Sequence, residues 1–430
     1  MSLSEADKVC DPRGHVDFGV DEDIAGWGVI VSFIASSVLC LIASTIYYIC
    51  FWGRTHDLPS SAMTMVESLE PPNPVDECVF RFRDRVGKVF NGFSPREPNA
   101  RLDEAFRTCI LALSDLQLLT GTCALAAGFM SIEQIPNIYW QVLVNVAWLS
   151  HLTHQCVLAL LRKHLQQQQS HWGRAIRVAL MTMLFLLLFI AIIPTIYFDW
   201  RFISAQSVDP AYQSSLNGVP QALPMRCFYN RKTVSYIHKE LYPAAWSMDT
   251  GPFFNGVFAM VFLVITYTTR LVKLFNTSSD FFRGVRAGVG NLCQRLMCFF
   301  VDKLNVVTFG RIRSRYWFFL VECPLIATYS NCRVAVDLYA STLSDLIGLY
   351  FACIFAVHRL FLIKQTEAKL IHQEGIPEDE GHKLGFGQLL PLTLLVTPFI
   401  AIGKSLWKYQ AGRQESTAID TRPSSPSPQP

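Results

Sequence analysis

Residues 137–161 read NIYWQVLVNVAWLSHLTHQCVLALL. The stretch holds no Asp, Glu, Lys or Arg, and it exceeds the roughly 20 residues needed to cross the hydrocarbon of a bilayer. Inside lipid a backbone must satisfy its own hydrogen bonds, so a segment of this kind is a helix. Asn145, Trp148, His151 and Gln155 recur within it at helical spacing, and His154 lies beside them. The segment therefore reads as a membrane span that carries polar and ionisable side chains.

Apolar runs on either side extend the pattern. Spans are expected at 27–52, 105–129, 137–161, 175–198, 252–274, 336–363 and 386–407. The fold class is an all-α, polytopic transmembrane helical bundle of about seven spans. Composition agrees: 51% of the 430 residues are hydrophobic and only 17% are charged, against about 25% charged in a soluble domain. Two segments fit less simply. Residues 281–300 mix apolar side chains with Arg283, Arg286 and Arg295, as an interfacial helix does. Residues 316–329 are apolar but short and contain Pro324, which suits a re-entrant or buried piece; if they cross, the count becomes eight.

Lys and Arg placement sets the orientation. The loop 53–104 carries Arg54, Arg81, Arg83, Arg85, Lys88, Arg96 and Arg101, whereas 130–136 has no Lys or Arg. Arg162, Lys163 and Arg174 follow the third span, with Arg177 just inside the fourth, and the loop 275–335 is again basic. Rich and poor loops alternate, which puts the N-terminus on the lumenal or extracellular side and the C-terminus in the cytosol. The domain plan is then a lumenal segment 1–26, a bundle 27–412 with a lumenal loop 199–251 and cytosolic loops 53–104 and 275–335, and a Ser/Pro-rich disordered tail 413–430. The acidic N-terminus offers no basic start for a cleavable signal peptide.

The chain has 13 cysteines, and most sit in apolar runs as small hydrophobes. Cys10 and Cys227 both fall on the expected oxidising side, so they either pair or remain two free thiols. A net charge of +3 excludes nucleic acid as the natural partner. No Cys/His cluster, P-loop, dinucleotide-binding glycine pattern, HExxH, GxSxG or DDxxD-type cluster is present, so neither a metal nor a cofactor is expected.

Ionisable residues within spans are costly and point first to function. Asp115 follows Ser114 in the second span, His151 and His154 lie in the third, and Asp345 lies in the sixth. Counted from the cytosolic ends of their helices, Asp115, His151 and Asp345 reach roughly 15 Å in, near mid-membrane. They are expected to line one dry cavity, with Asp115 unpaired. Burial would keep a carboxylic acid there protonated, as a proton donor to an alkene or epoxide must be. The alternative is a structural network that joins helices by hydrogen bonds.

Four stretches are distinctive: DEDIAGWGV at 21–29, SDLQLLTG at 114–121, WLSHLTHQCVLALLRKHL at 148–165 and FGQLLPLTLLVTPF at 386–399. They resemble a group of filamentous-fungal integral membrane proteins, some of which resemble the membrane-bound terpene cyclases of meroterpenoid biosynthesis. That resemblance implies a metal-independent cyclase of secondary metabolism, an isomerase or lyase multi-pass in the endoplasmic reticulum. Its partner would be a lipid-soluble, prenylated (farnesylated) aromatic or polyketide substrate. Asp115 is then the first candidate acid and Asp345 the second, with His151 or His154 orienting the acid or taking the final proton. A non-enzymatic seven-helix receptor-like or scaffold protein is the competing reading.

Overall fold

The computed structural model describes residues 10, 26–52, 73–89, 100–161, 171–196, 223–230, 234–235, 251–274, 323–373 and 386–400, with isolated residues between 288 and 299 and at 403 and 407. The tail 413–430, nearly all of the interfacial segment 281–300 and most of the loop 199–251 lie outside the described residues. The elements are α1 (Trp27–Cys50), α2 (Pro74–Val89), α3 (Ala100–Met130), α4 (Asn137–Leu160), α5 (His171–Ile192), α6 (Gly251–Leu274), α7 (Cys323–Ala340), α8 (Thr342–Gln373) and α9 (Phe386–Leu394). Among the described residues five helices are long and apolar enough to cross a membrane: α1, α3, α4, α5 with the 3-10 turn that extends it, and α8. The chain is a helical bundle of membrane-protein character.

Helix α4 is the hub. Among the described residues α1, α3, α5, α6 and α8 all pack on it. In its most apolar window 94% of residues are buried, against 28% in α5. That enclosure explains how a helix with the lowest hydropathy of the five can sit in the bundle, because its polar side chains meet protein and not acyl chains. Small residues allow the close approach. Ser37 Oγ reaches Leu149 O at 3.4 Å and Cys40 Sγ reaches Thr153 O at 3.8 Å, tying α1 to α4. Gln117 of α3 bridges both, donating to Ser36 Oγ and accepting from Ser150 Oγ at 2.9 Å. On α5, Ala191 O accepts from Trp140 Nε1 at 3.1 Å.

Two expected spans change shape. The sixth, drawn over 336–363, is broken at Ser341 and runs instead as α8 from Thr342. The cause is a cap supplied from far along the chain. Asp76 of α2 is buried, and its carboxylate accepts from Ser341 Oγ (2.8 Å), Thr342 N (3.2 Å), Leu343 N (3.2 Å) and Tyr48 OH (2.7 Å). A carboxylate there satisfies the orphan N–H groups of a helix start and complements its dipole. Residues 323–340 form a separate, largely exposed helix, α7, which takes in the end of the 316–329 stretch and the head of the expected sixth span, while 316–322 lie outside the described residues. The seventh span, drawn over 386–407, appears among the described residues as α9 and a short apolar helix segment up to Ile400. Pro391 and Pro398 lack the N–H that a continuous ladder needs, and the chain turns at 395–396. The fifth is helical over Gly251–Leu274, with an apolar part, Gly256–Val272, shorter than the other five.

At the opposite end of the bundle from Asp76, residues 223–229 close over the start of α4. Asn137 N donates to Leu223 O (3.0 Å), Met225 N to Ile135 O (2.9 Å) and Arg226 N to Ile132 O (3.1 Å). Cys227 in this segment is disulfide-bonded to Cys10, with Cα atoms 5.6 Å apart. Replacing Cys227 by Ser is expected to cost about 2–5 kcal/mol, read as a lowered Tm of the purified protein, and non-reducing peptide mapping should recover the Cys10–Cys227 pair.

A Cβ built on Gly121 would lie 2.5 Å from both Cβ and Oγ of Ser150, whereas one on Gly348 meets nothing within 4 Å. Gly121→Ala should therefore destabilise by about 1–3 kcal/mol through overpacking at the α3–α4 contact. Gly348→Ala is the matched control and should leave the thermal melt unchanged or slightly raised.

Candidate functional site

The ring around α4 has one loose joint. Helix α6 packs on α5 and touches α4, but scarcely meets α8 among the described residues. A partly open cleft of about 250 Å³ lies along this side of α6. Its wall is apolar and aromatic, formed by Phe258 and Phe262 of α6 and Tyr339 of α7, and Thr266, Arg270 and Asp345 give it its polar part.

Arg270 organises that polar part. It is 5% exposed; its guanidinium donates to Gln155 Oε1 of α4 at 2.9 Å and to Asp345 Oδ1 of α8 at 3.3 Å. Gln155 in turn lies 3.0 Å from His151 Nε2. The His151 ring sits 6.1 Å from the Tyr267 ring and 6.5 Å from Phe185, which stack on each other at 4.2 Å. Asp345, His151, Gln155 and Arg270 thus form one chain of contacts across α8, α6 and α4.

The other two predicted residues belong to a different cluster. His154 is buried, and its Nδ1 lies 2.9 Å from Ser114 Oγ of α3. Asp115 was expected to be unpaired in a dry chamber. It is held bidentately by Arg177 of α5, at 3.0 Å from Nε to Oδ1 and 2.6 Å from the terminal nitrogen to Oδ2, and its side chain is 41% exposed. This pair straps α3 to α5 on the far side of α4 from Asp345.

The four residues therefore do not share one chamber. Depth differs as well. Asp345 stands in the first turn of α8, a consequence of the break at Ser341. His151 lies roughly 13 Å short of the end of α4, close to the expected depth. The Arg270–Asp345 pair therefore lies toward the end of the bundle where α1 and α4 finish and α8 begins.

By sequence Arg177 is a topology marker just inside the fourth span, and Arg270 stands out by no motif. An arginine near the end of a span ordinarily snorkels to the interface, so nothing local distinguishes these two. The available signal was indirect: a mid-span carboxylate, and a Gln and a His one turn apart, all call for partners. Among the described residues no three His, Cys, Asp or Glu side chains converge as a metal set. No family model, curated protein or solved structure matches the chain.

Removing one member of a buried ion pair leaves the other without a counter-charge. Arg270→Met is expected to destabilise by about 3 kcal/mol, at the low end for such pairs because Asp345 is partly exposed. Adding Asp345→Leu should recover most of that loss in a double-mutant cycle of thermal melts.

Proposed function

We propose that this chain is a seven-span membrane protein, N-terminus lumenal, that takes a lipid-soluble prenylated small molecule into the cleft beside α6 and cyclises it. The orientation is supported by the alternation of basic loops and by the Cys10–Cys227 bond, which joins the two segments assigned to the oxidising side. The endoplasmic reticulum as its location, and farnesylated aromatic or polyketide compounds as its substrates, follow the resemblance to fungal cyclases.

One observation carries the catalytic reading: of the two candidate acids, it is the second, Asp345, that lines an apolar, aromatic-walled cleft. In this scheme an oxygen of the substrate head accepts from Arg270 in place of Asp345, and the Asp345 carboxylate, released from that ion pair, takes up a proton from water. Its O–H bond breaks as a C–H bond forms at the terminal alkene, or as the epoxide oxygen is protonated. The cation advances through the internal double bonds past the faces of Phe258, Phe262 and Tyr339, which stabilise positive charge. The last C–H proton returns to the Asp345 carboxylate, so the net reaction is an isomerisation. His151 acts through Gln155 as a positioning group for Arg270. Asp115 and His154 are structural.

A second reading has its own support. Arg270 on Asp345 and Arg177 on Asp115 lock helices together at one end of the bundle while the disulfide ties the other. That arrangement suits a non-enzymatic receptor-like protein that binds the same class of molecule without changing it.

Microsomes from a heterologous fungus expressing the chain, supplied with a farnesylated phenol or its epoxide, should yield a cyclised isomer. Asp345→Asn should lower conversion by about 100-fold or more, and Asp115→Asn should not. Saturable binding of the unaltered probe with no product from the wild-type protein would leave the receptor-like reading in its place.

A further inference from the structure

Helix α4 carries more polar atoms than the two clusters use. Asn137 Oδ1, Gln141 Oε1 and Trp148 Nε1 are buried and have no hydrogen-bond partner among the described residues. Their side chains belong to residues 3%, 4% and 8% exposed. At about 100° per residue, Asn137, Gln141, Asn145, Trp148, His151 and Gln155 fall within roughly 120° of arc on one face of the helix.

Contacts identify what that face meets. Trp148 stacks on Phe262 of α6 with ring centroids 6.1 Å apart, His151 lies beside Tyr267 of α6, and Gln155 reaches Arg270 of α6. These contacts set the Trp148–Gln155 part of the face against α6, and by helical arc Asn137 and Gln141 continue it toward the segment closed by residues 223–229. It lies on the side where α6 and α8 are scarcely in contact.

Polar atoms buried in a bundle are satisfied by protein or by ordered water, and in a membrane the cost of leaving them bare is greater than in a soluble core. Two amide oxygens and an indole N–H on one face supply both acceptors and a donor, which a water file needs and a single cation does not. We infer that the α4 face toward α6 binds a file of ordered waters from Asn137 to Gln155, which makes a hydrogen-bonded proton path ending at Arg270 and Asp345. The inference rests on burial and hydrogen bonding alone and holds whether the cleft is catalytic or only binds.

Radiolytic hydroxyl labelling of the full chain in lipid nanodiscs tests it directly, because bound water generates label at buried side chains. The chain contains its own controls. Trp140 is fully buried on the same helix with its Nε1 bonded to Ala191 O, and Trp172 is 81% exposed. Trp148 should label about tenfold faster than Trp140 and approach Trp172, as a buried residue beside ordered water does. Labelling run in oxygen-18 water should place that isotope on Trp148 and His151. Gln141→Leu should reduce labelling of Trp148 with an unchanged thermal melt; if that variant fails to fold, the comparison within the wild-type chain decides alone. Equal, background labelling of Trp148 and Trp140 would overturn the water file.

Discussion

A helix as polar as α4 cannot face acyl chains, and most of the architecture follows from enclosing it. Unpaired polar groups in lipid cost several kcal/mol each, so a ring of neighbours is needed to cover them. Serines on α1, Gly121 and Gly128 on α3, and the amide of Gln117 let those neighbours come close enough. Hydrophobic burial alone cannot drive this association inside a bilayer, where lipid is as apolar as leucine. Close packing and interhelical hydrogen bonds take its place.

Two ion pairs join neighbouring helices. Asp115 with Arg177 joins α3 to α5, and Asp345 with Arg270 joins α8 to α6. Asp76 performs a related task as an N-terminal cap that fixes where α8 begins. A buried pair is weak evidence for net stability, since desolvation offsets most of its Coulomb energy. What it supplies is a geometry that costs much to break on one side only. The disulfide and the backbone contacts of 223–229 fix the other end, so the bundle is tied at both ends and least constrained where α6 passes α8.

Much of this was legible in the chain. The apolar runs that became α1, α3, α4, α5 and α8 read as spans because twenty apolar residues have no other use in a folded protein. The polar stripe of α4 was visible at Asn145, Trp148, His151 and Gln155 by spacing alone. The pairing of Cys10 with Cys227 was one of two outcomes left by compartment and count. The break at Ser341 was not legible, because its cause sits 265 residues away in sequence. The same holds for the arginines: near a helix end Arg270 resembles any snorkelling residue until Gln155 and Asp345 are seen around it.

The sequence by itself determined that the chain is helical and that several of its segments are long and apolar enough to cross a membrane, because hydropathy and periodicity are local properties. Only the tertiary structure decided that α4 is the centre, that Asp115 and Asp345 lie on opposite sides of it, and that each carboxylate has a guanidinium. Those facts depend on which helices become neighbours, and neighbours are chosen by shape and complementary charge between segments far apart in the chain.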